Sequence, residues 1–317
     1  MELLTSILKN MPDALSLGLI WGIMAIGVYI TFKILDIPDM TVDGTFALGG
    51  CIVAATITVG MNPAFSMMLA VVCGMAAGLV TGLLHTKLKI PAILAGILSM
   101  LAIYSIDLMI MGGKSNIGMA QFGSQKVVTA IDAASALTGL SPKMTSLMLG
   151  LVLALAIIAI LYWFFGTETG CLIRATGINE DMVKAQGGNT DNMKIAGLVI
   201  ANGLVAFSGA LVSQIQRYGD VGMGTGTIVI GLASIIIGEV LLGGKSSFKV
   251  RLLSVFAGSM VYRVIITIVL LLGFDPNNLK LLTAVLVVIA LSVPVTRTSM
   301  VEKSNMKQIL KKYAEVK

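Results

Sequence analysis

Charged residues are scarce in this sequence: 22 Lys and Arg and 16 Asp and Glu make up only 12% of its 317 residues. Soluble domains carry about 25% charged residues, because their surfaces must be polar. Apolar residues instead account for 56% of the chain, and the mean hydropathy is +0.95. The composition excludes a water-soluble domain and predicts an integral membrane protein that lies in lipid.

Histidine and cysteine are also rare, which removes several kinds of chemistry. One histidine, His85, and three isolated cysteines offer neither a zinc site nor a disulfide framework. The stretch 238–246 resembles a phosphate loop, but Glu239 stands where that loop needs a glycine. We find no nucleophile, histidine and acid that could form a catalytic cluster, as a membrane enzyme would need. We therefore expect no catalytic residue, cofactor or metal, and we assign the net charge of +6 to cytoplasmic loops rather than to nucleic-acid binding.

Charge-free windows locate the membrane spans. A span needs about 20 apolar residues, so the window 44–86 must contain two helices, broken near residues 60–63. The sequence thus predicts an all-α, polytopic transmembrane helical bundle that forms one domain, 1–317. We expect about nine spans, within a range of about eight to ten. They are 13–34, 44–60, 63–86, 91–111, 144–166, 194–214, 225–243, 251–273 and 279–297.

The distribution of Lys and Arg predicts the orientation. With these spans, 15 of them fall on one side of the membrane and 6 on the other, and the richer side is expected to be cytoplasmic. This places the C-terminus, including a basic tail at 298–317, in the cytoplasm, and the N-terminus outside. The loop 167–193 becomes the longest cytoplasmic loop, and 112–142 becomes a long outer segment.

Two spans open with a similar motif. Residues 44–49 read Gly-Thr-Phe-Ala-Leu-Gly, and residues 226–231 read Gly-Thr-Ile-Val-Ile-Gly. In the predicted topology these two spans run in opposite directions, as an inverted repeat requires, and such repeats often flank a transport path. Chance similarity is the alternative in a chain so rich in glycine and apolar residues.

A few polar residues in or beside the spans are candidates for the translocation pathway: Asp43, Thr45, Thr227, Glu239 and Arg263. Arg263 lies within a span, where it either pairs with a polar group to fix helix packing or faces a polar cavity. Asp43 follows Asp36 and Asp39, and it is either the N-cap of the second span in a solvated turn or part of an acidic lining. Glu239 and Asp107 lie near span ends, where water could solvate them.

The loop 167–193 contains a short helical pattern. Residues 180–186 can form a helix with Asn179 as its N-cap, and glycines lie on both sides. A short helix on the cytoplasmic face is suited to contact a partner protein.

The same loop resembles a known family. The stretches 169–179 and 185–189 are similar to the coupling loop of ABC importer permeases of the branched-chain amino-acid and ribose-type superfamily. The opening, 18–50, fits that superfamily as well. Residues 30–46 and 243–251, with Tyr262 and Arg263, resemble the subfamily that works with tryptophan- or tyrosine-type binding lipoproteins.

The resemblance extends over about residues 15–296 and implies a permease subunit in a bacterial plasma membrane. It implies a separate cytoplasmic ATPase, an extracellular substrate-binding lipoprotein and a second permease copy, which we expect to form a homodimer. The implied solute is small, an amino acid, and the analogy to the subfamily implies an aromatic one. The implied ATPase-coupling residues are Gly170, Arg174, Ala175, Gly177, Ala185 and Gly188.

The alternative from another class is an ion-coupled secondary transporter that works without an ATPase. Its support is the set of ionisable residues in the spans, Asp107, Glu239 and Arg263. Uptake that needs no ATPase and collapses with the membrane potential would favour it.

Overall fold

The computed structural model describes residues 2–119, 128–242 and 247–274, together with residues 281, 283–285, 287, 288 and 292. Most of the predicted ninth span and all of the predicted tail, 298–317, lie outside the described residues. The orientation of the chain in a membrane remains a prediction, since no membrane is present.

The described residues are almost entirely helical. The helices are α1 (Glu2–Tyr29), α2 (Thr41–Thr58), α3 (Pro63–Thr86), α4 (Ala92–Ile110), α5 (Ala130–Thr138), α6 (Pro142–Phe164), α7 (Glu168–Ile178), α8 (Glu180–Ala185), α9 (Thr190–Gln216), α10 (Thr227–Leu242) and α11 (Phe248–Leu271). A π-helical turn, Ile30–Ile34, continues α1. Two short strands, β1 (Asn116–Gly118) and β2 (Tyr218–Asp220), pair antiparallel.

Seven helices of the described chain are long and apolar enough to cross a membrane, and α10 is a shorter apolar helix. Together they match the first eight predicted spans, which confirms the polytopic all-α bundle. The most hydrophobic segments of α1, α2 and α9 are 83%, 78% and 67% buried, whereas those of α3, α4 and α6 are 28% buried. The first three therefore form the centre of the bundle, and α3, α4 and α6 form its periphery.

The two ends of the bundle differ. One end carries α7 and α8, which precede α9, and we call it the loop face. The other end carries the β1–β2 pair, in which Asn116 lies opposite Asp220, and we call it the strand face. The helix α9 runs from the loop face to the strand face, because it follows α8 and leads into β2.

Helix pairs pack through glycines. On α1, Gly18 lies against Met260 of α11 and Gly22 lies against Phe256. On α3, Gly74 and Gly78 lie against the backbone of α9 in the same manner. A side chain at these positions would collide with the neighbouring helix, and close backbone approach of this kind stabilises helix pairs in lipid. The pair α1 and α11 thus has a counterpart in the pair α9 and α3.

The helices α2 and α10 begin inside the bundle and run in opposite directions. Along α2, Phe46 lies against Gly209 and Gly50 against Ser213, so α2 runs parallel to α9. Gly238 of α10 lies against Ser254 of α11, and Gly258 of α11 lies against Ser234 of α10, so these two helices are antiparallel. Since α11 is antiparallel to α1 and α1 is antiparallel to α9, α10 also runs antiparallel to α9. The predicted antiparallel direction of these two spans is confirmed. Their N-terminal ends meet near the middle of α9.

Candidate functional site

The junction of α2 and α10 is held by Asp43. One carboxylate oxygen accepts hydrogen bonds from the Thr227 hydroxyl at 2.8 Å and the Ile228 backbone N–H at 3.0 Å, and the other accepts from the Gly226 N–H at 2.9 Å. Asp43 lies in the first turn of α2, which begins at Thr41. The expectation that Asp43 is the N-cap of the second span is therefore wrong: it caps α10, a helix that begins 184 residues further along the chain.

Asp39 is the residue that serves the N-terminus of α2. One of its carboxylate oxygens accepts from the Thr41 N–H at 2.9 Å, and the other accepts from the Asn202 side-chain amide at 2.8 Å. The Asn202 carbonyl oxygen in turn accepts from the Thr45 hydroxyl at 2.8 Å. Asp39 is 1% exposed, so the expected solvated turn is instead a buried polar network at this point.

The threonines proposed for the pathway are both buried in this network. Thr45 is 0% exposed and Thr227 is 1% exposed, and the hydroxyl of each donates a hydrogen bond to a neighbouring residue within the bundle. In this conformation they hold α2 and α10 in position and line none of the described cavities.

A small cavity beside the junction contains Asp107. It has a volume of about 190 Å³ and lies between α2, α4 and the segment 221–225. Its polar lining residues are Asp43, Tyr104, Asp107 and Thr225. Asp107 is 0% exposed, and both its carboxylate oxygens have no hydrogen-bond partner among the described residues. Solvation at a span end therefore does not explain Asp107, contrary to expectation.

Arg263 lies beside a second, larger cavity of about 410 Å³. Its guanidinium carbon lies 3.9 Å from the centre of the Trp21 ring, which is a cation–π contact between α11 and α1. Tyr262, Gln216 and Thr225 line the same cavity. Sequence inspection offered two readings of Arg263, a packing residue or a cavity residue, and the geometry has features of both.

Glu239 lies away from both cavities. Its carboxylate accepts a hydrogen bond from Lys33 at 3.2 Å, and both side chains are about a third or more exposed, at 35% and 43%. Because Lys33 belongs to the π-helical turn after α1, this pair links the turn to α10 at the loop face. The five predicted pathway residues thus do not form one cluster: Asp43, Thr45 and Thr227 meet at the junction, whereas Glu239 and Arg263 are separate.

The helix α7 is built into the bundle at the loop face. Ile173 is fully buried in the core, and a side chain at Gly177 would collide with the backbone carbonyl of Ile34 in the π-helical turn. Gly170 has the same kind of close contact with the end of α6, at Phe164 and Phe165. These two glycines of the predicted coupling set therefore bring α7 into direct backbone contact with the membrane helices.

The helix α8 confirms the predicted short helix and its cap. The Asn179 side chain accepts a hydrogen bond from the Met182 N–H at 2.9 Å. Glu180 then ties α8 to α9, because its carboxylate contacts Lys184 at 2.8 Å and Lys194 at 2.6 Å. The hydrogen bonds from Lys184 and Lys194 lower the pKa of Glu180 to about 2. The carboxylate is therefore charged throughout the physiological range.

The remaining coupling candidates differ in their surroundings. Arg174 is exposed, and its guanidinium carbon lies 4.9 Å from the Phe248 ring centre at the start of α11. Ala175 is half-buried and Ala185 is exposed. A side chain at Gly188 would meet Val183, the buried residue of α8. The surface of the loop also shows Ile178, which is 83% exposed.

Sequence reasoning missed several residues of these sites. Trp21, Tyr262 and Thr225 line the larger cavity, and Asn202 connects Asp39 to Thr45. An amide in the middle of an apolar span was a usable signal for Asn202, since buried amides need partners. Trp21 and Tyr262 gave no such signal, because aromatic residues are ordinary in apolar helices.

Comparison with known proteins identifies the family. Residues 10–291 match the family model described as the permease component of a branched-chain amino acid transport system. A tyrosine transport system permease protein from Clostridioides difficile is 38% identical over 308 residues, covering 95% of this chain and 99% of that protein. The ribose import permease protein of Escherichia coli K12 is 22% identical over 87% of this chain and 79% of its own length.

The fold agrees with a solved structure of low sequence identity. A chain of PsaBC from Streptococcus pneumoniae, in complex with Fab, superposes with a TM-score of 0.52 at 15% identity, covering 90% of this chain and 95% of that chain. This similarity concerns the fold alone. Together with the family match and the 38% identical relative, it is consistent with one architecture along the chain. This chain belongs to the family of branched-chain amino acid transport system permease components.

Proposed function

We propose that this chain is the membrane subunit of an ABC importer, which forms the translocation pathway for a small solute and is driven by a separate cytoplasmic ATPase. The observation that carries the proposal is the construction of α7 and α8, an exposed helical loop whose backbone is fixed to the membrane helices. The family match supports the same reading. The absence of an ATP-binding motif in the sequence is consistent with it.

The contacts of this loop supply a route by which movement of an ATPase could reach the junction. Displacement of α7 would push on the π-helical turn through the contact between Gly177 and Ile34. The turn is linked to α10 by Lys33 and Glu239. The far end of α10 is held by Asp43 of α2. Movement at the loop face would therefore reach the meeting point of α2 and α10, where the pathway would open or close.

The proposed partners follow from this mechanism. The loop face would bind the ATPase, and the opposite face would receive a substrate-binding lipoprotein. A second copy of this chain would complete the pathway, and we favour a homodimer. We propose an amino acid as the solute, and an aromatic one by analogy with the tyrosine transport permease of Clostridioides difficile.

A matched pair of substitutions tests the docking role. Ile178 on the loop face is 83% exposed, and Leu137 on α5 near the strand face is 89% exposed. Both I178E and L137E place a charge on an exposed apolar position. We expect I178E to lose a co-purifying P-loop ATPase, because a carboxylate buried in the interface without a partner is costly. The L137E chain should retain it. The measurement is the stoichiometry of proteins recovered with the tagged chain from its native membrane.

Transport in proteoliposomes then tests the class. Uptake by the reconstituted complex should require ATP and should persist when ionophores collapse the membrane potential. A chain that purifies without any ATPase and takes up solute alone, in a potential-dependent manner, would refute the ABC proposal and favour the secondary transporter.

A further inference from the structure

Three residues that line the cavity of about 410 Å³ each carry a buried polar group without a partner among the described residues. These groups are the indole N–H of Trp21, the hydroxyl of Tyr262 and the Nε of Arg263. Buried polar groups in folded proteins are nearly always hydrogen-bonded, since leaving one unpaired costs about 1–3 kcal/mol. Three such groups around one cavity indicate a site that is completed by a ligand.

Arg263 brings a positive charge to this site. It is held on the Trp21 ring at 3.9 Å, and Tyr262 is 1% exposed, so both aromatic side chains are fixed by packing. The described residues lining the cavity include no carboxylate. In the described part of the chain, Arg263 forms no ion pair either. A buried cation is usually neutralised by an anion, because an unpaired charge in a low-dielectric interior is costly.

The donor set decides the chemical class of the ligand. A guanidinium and an indole N–H can only donate, and a phenol can donate as well. Donors arranged around one cation fit an anion with several acceptor oxygens, and Arg is well suited to a planar carboxylate. The volume of about 410 Å³ lies in the range of about 300–1,000 Å³ that is typical of small-molecule sites.

We propose that Arg263, with Trp21 and Tyr262, binds the carboxylate group of the transported solute. The identification of the ligand as a transported solute rests on the proposed function. Carboxylate binding itself does not depend on an ATPase. The rest of the solute would lie along the apolar wall formed by Val229, Ile230 and Ile266. The permease itself would then contribute to selection, by accepting acids and excluding their neutral analogues.

Trp21 provides a direct reporter of this site. The chain has two tryptophans, and the other, Trp163, is 71% exposed. The full chain carrying W163F, purified in maltoside micelles, therefore has one tryptophan, which lies against Arg263. We would titrate it with acetate and with acetamide at constant ionic strength. Acetate should change the Trp21 emission in a saturable manner, and acetamide should not.

Substitutions assign the effect to Arg263. In the W163F background, R263Q should weaken acetate binding at least about tenfold, since it removes a charge-assisted hydrogen bond. R217Q is the matched control. Arg217 is also an arginine and directly follows the C-terminal end of α9, but its guanidinium pairs with Asp132 at 2.6 Å. Its acetate affinity should be unchanged. Y262F should weaken binding about two- to fivefold, because it removes only a neutral hydrogen bond.

The outcomes separate the possible sources of the anion and the two proposals. If R263Q does not fold, as judged by size-exclusion chromatography, R263K and Y262F replace it, and R263K should still weaken binding because it lacks the planar donor pair. Equal responses to acetate and acetamide, or an R263Q chain that binds like its parent, would overturn the carboxylate site. A Trp21 response to added phospholipid but none to acetate would assign the site to a lipid phosphate and also overturn it. Failure of ATP dependence with acetate binding intact would refute the importer alone.

Discussion

Replacement of Asp43 should separate the two helices that meet at the junction. D43A removes three hydrogen bonds at once, from Gly226, Thr227 and Ile228. Two of the lost donors are backbone N–H groups: that of the buried Ile228 in the first turn of α10 and that of the half-buried Gly226 just before it. D43N is the gentler change, because it retains one acceptor oxygen and nearly the same shape.

The magnitude follows from the two N–H groups. Each buried donor that loses its partner costs about 1–3 kcal/mol, so two would give about 2–6 kcal/mol, and the half-buried Gly226 places D43A towards the lower end. Hydrogen bonds between membrane helices often measure less, averaging about 0.6 kcal/mol in one well-studied case, so the lower end is more appropriate. We expect D43A to reduce the free energy of unfolding by about 2–3 kcal/mol and D43N by about 1 kcal/mol.

The assay is reversible unfolding in mixed micelles, followed by circular dichroism, beside an uptake measurement in proteoliposomes. D36N is the matched control for D43N. Asp36 belongs to the same connecting segment but is exposed, and asparagine tolerates its positive φ of 56°. D36N should unfold like the parent chain. A D43A chain as stable as D36N would show that the contacts of Asp43 do not hold α10, and our account of the junction would be wrong.

Two further predictions concern the loop face. G177A should leave the ATPase bound but reduce ATP-driven uptake strongly, because a methyl group would push α7 away from Ile34; normal uptake would refute the route through the π-helical turn. The second concerns Glu180, whose pKa is lowered from 4.5 to about 2 by Lys184 and Lys194. Its contribution to stability should be complete above pH 4.5 and lost as the pH falls towards about 2. The difference in melting temperature between the parent chain and E180Q should therefore shrink in that interval, and a constant difference would contradict the ion pairs.

Much of the fold could be predicted from the sequence because a helix that crosses lipid must consist mainly of apolar residues. The predicted spans 63–86 and 91–111 lie within one residue of α3 and α4 at each end. The break near residue 62 was visible because Asn62 and Pro63 form a strong helix start, with Asn62 as the N-cap. The short helix α8 was visible for the same reason, through Asn179.

The junction could not be predicted in the same way. Charge-free windows indicate which residues can form a helix in lipid. They do not indicate at what depth in the bundle that helix begins. The helix α2 starts near the middle of the bundle because Asp39 and Asn202 satisfy its polar groups, and these residues are 163 positions apart. Asp43 looked like a local cap, and its real partner lies on another helix. Such long-range pairs leave no periodic pattern in a single sequence.

The meeting of two helix N-termini has an electrostatic consequence. Each N-terminus carries about half a positive elementary charge, so two that face each other repel, and the repulsion is strong where water is absent. Asp43 lies in the first turn of α2 and accepts hydrogen bonds at the start of α10, so its negative charge lies near both like poles, together with the Asp39 carboxylate at the start of α2. If the Asp43 carboxylate were displaced or neutralised, only Asp39 would remain to offset the repulsion between the two poles. The junction is therefore a weak point between α2 and α10, where two carboxylates offset the repulsion of the helix N-termini.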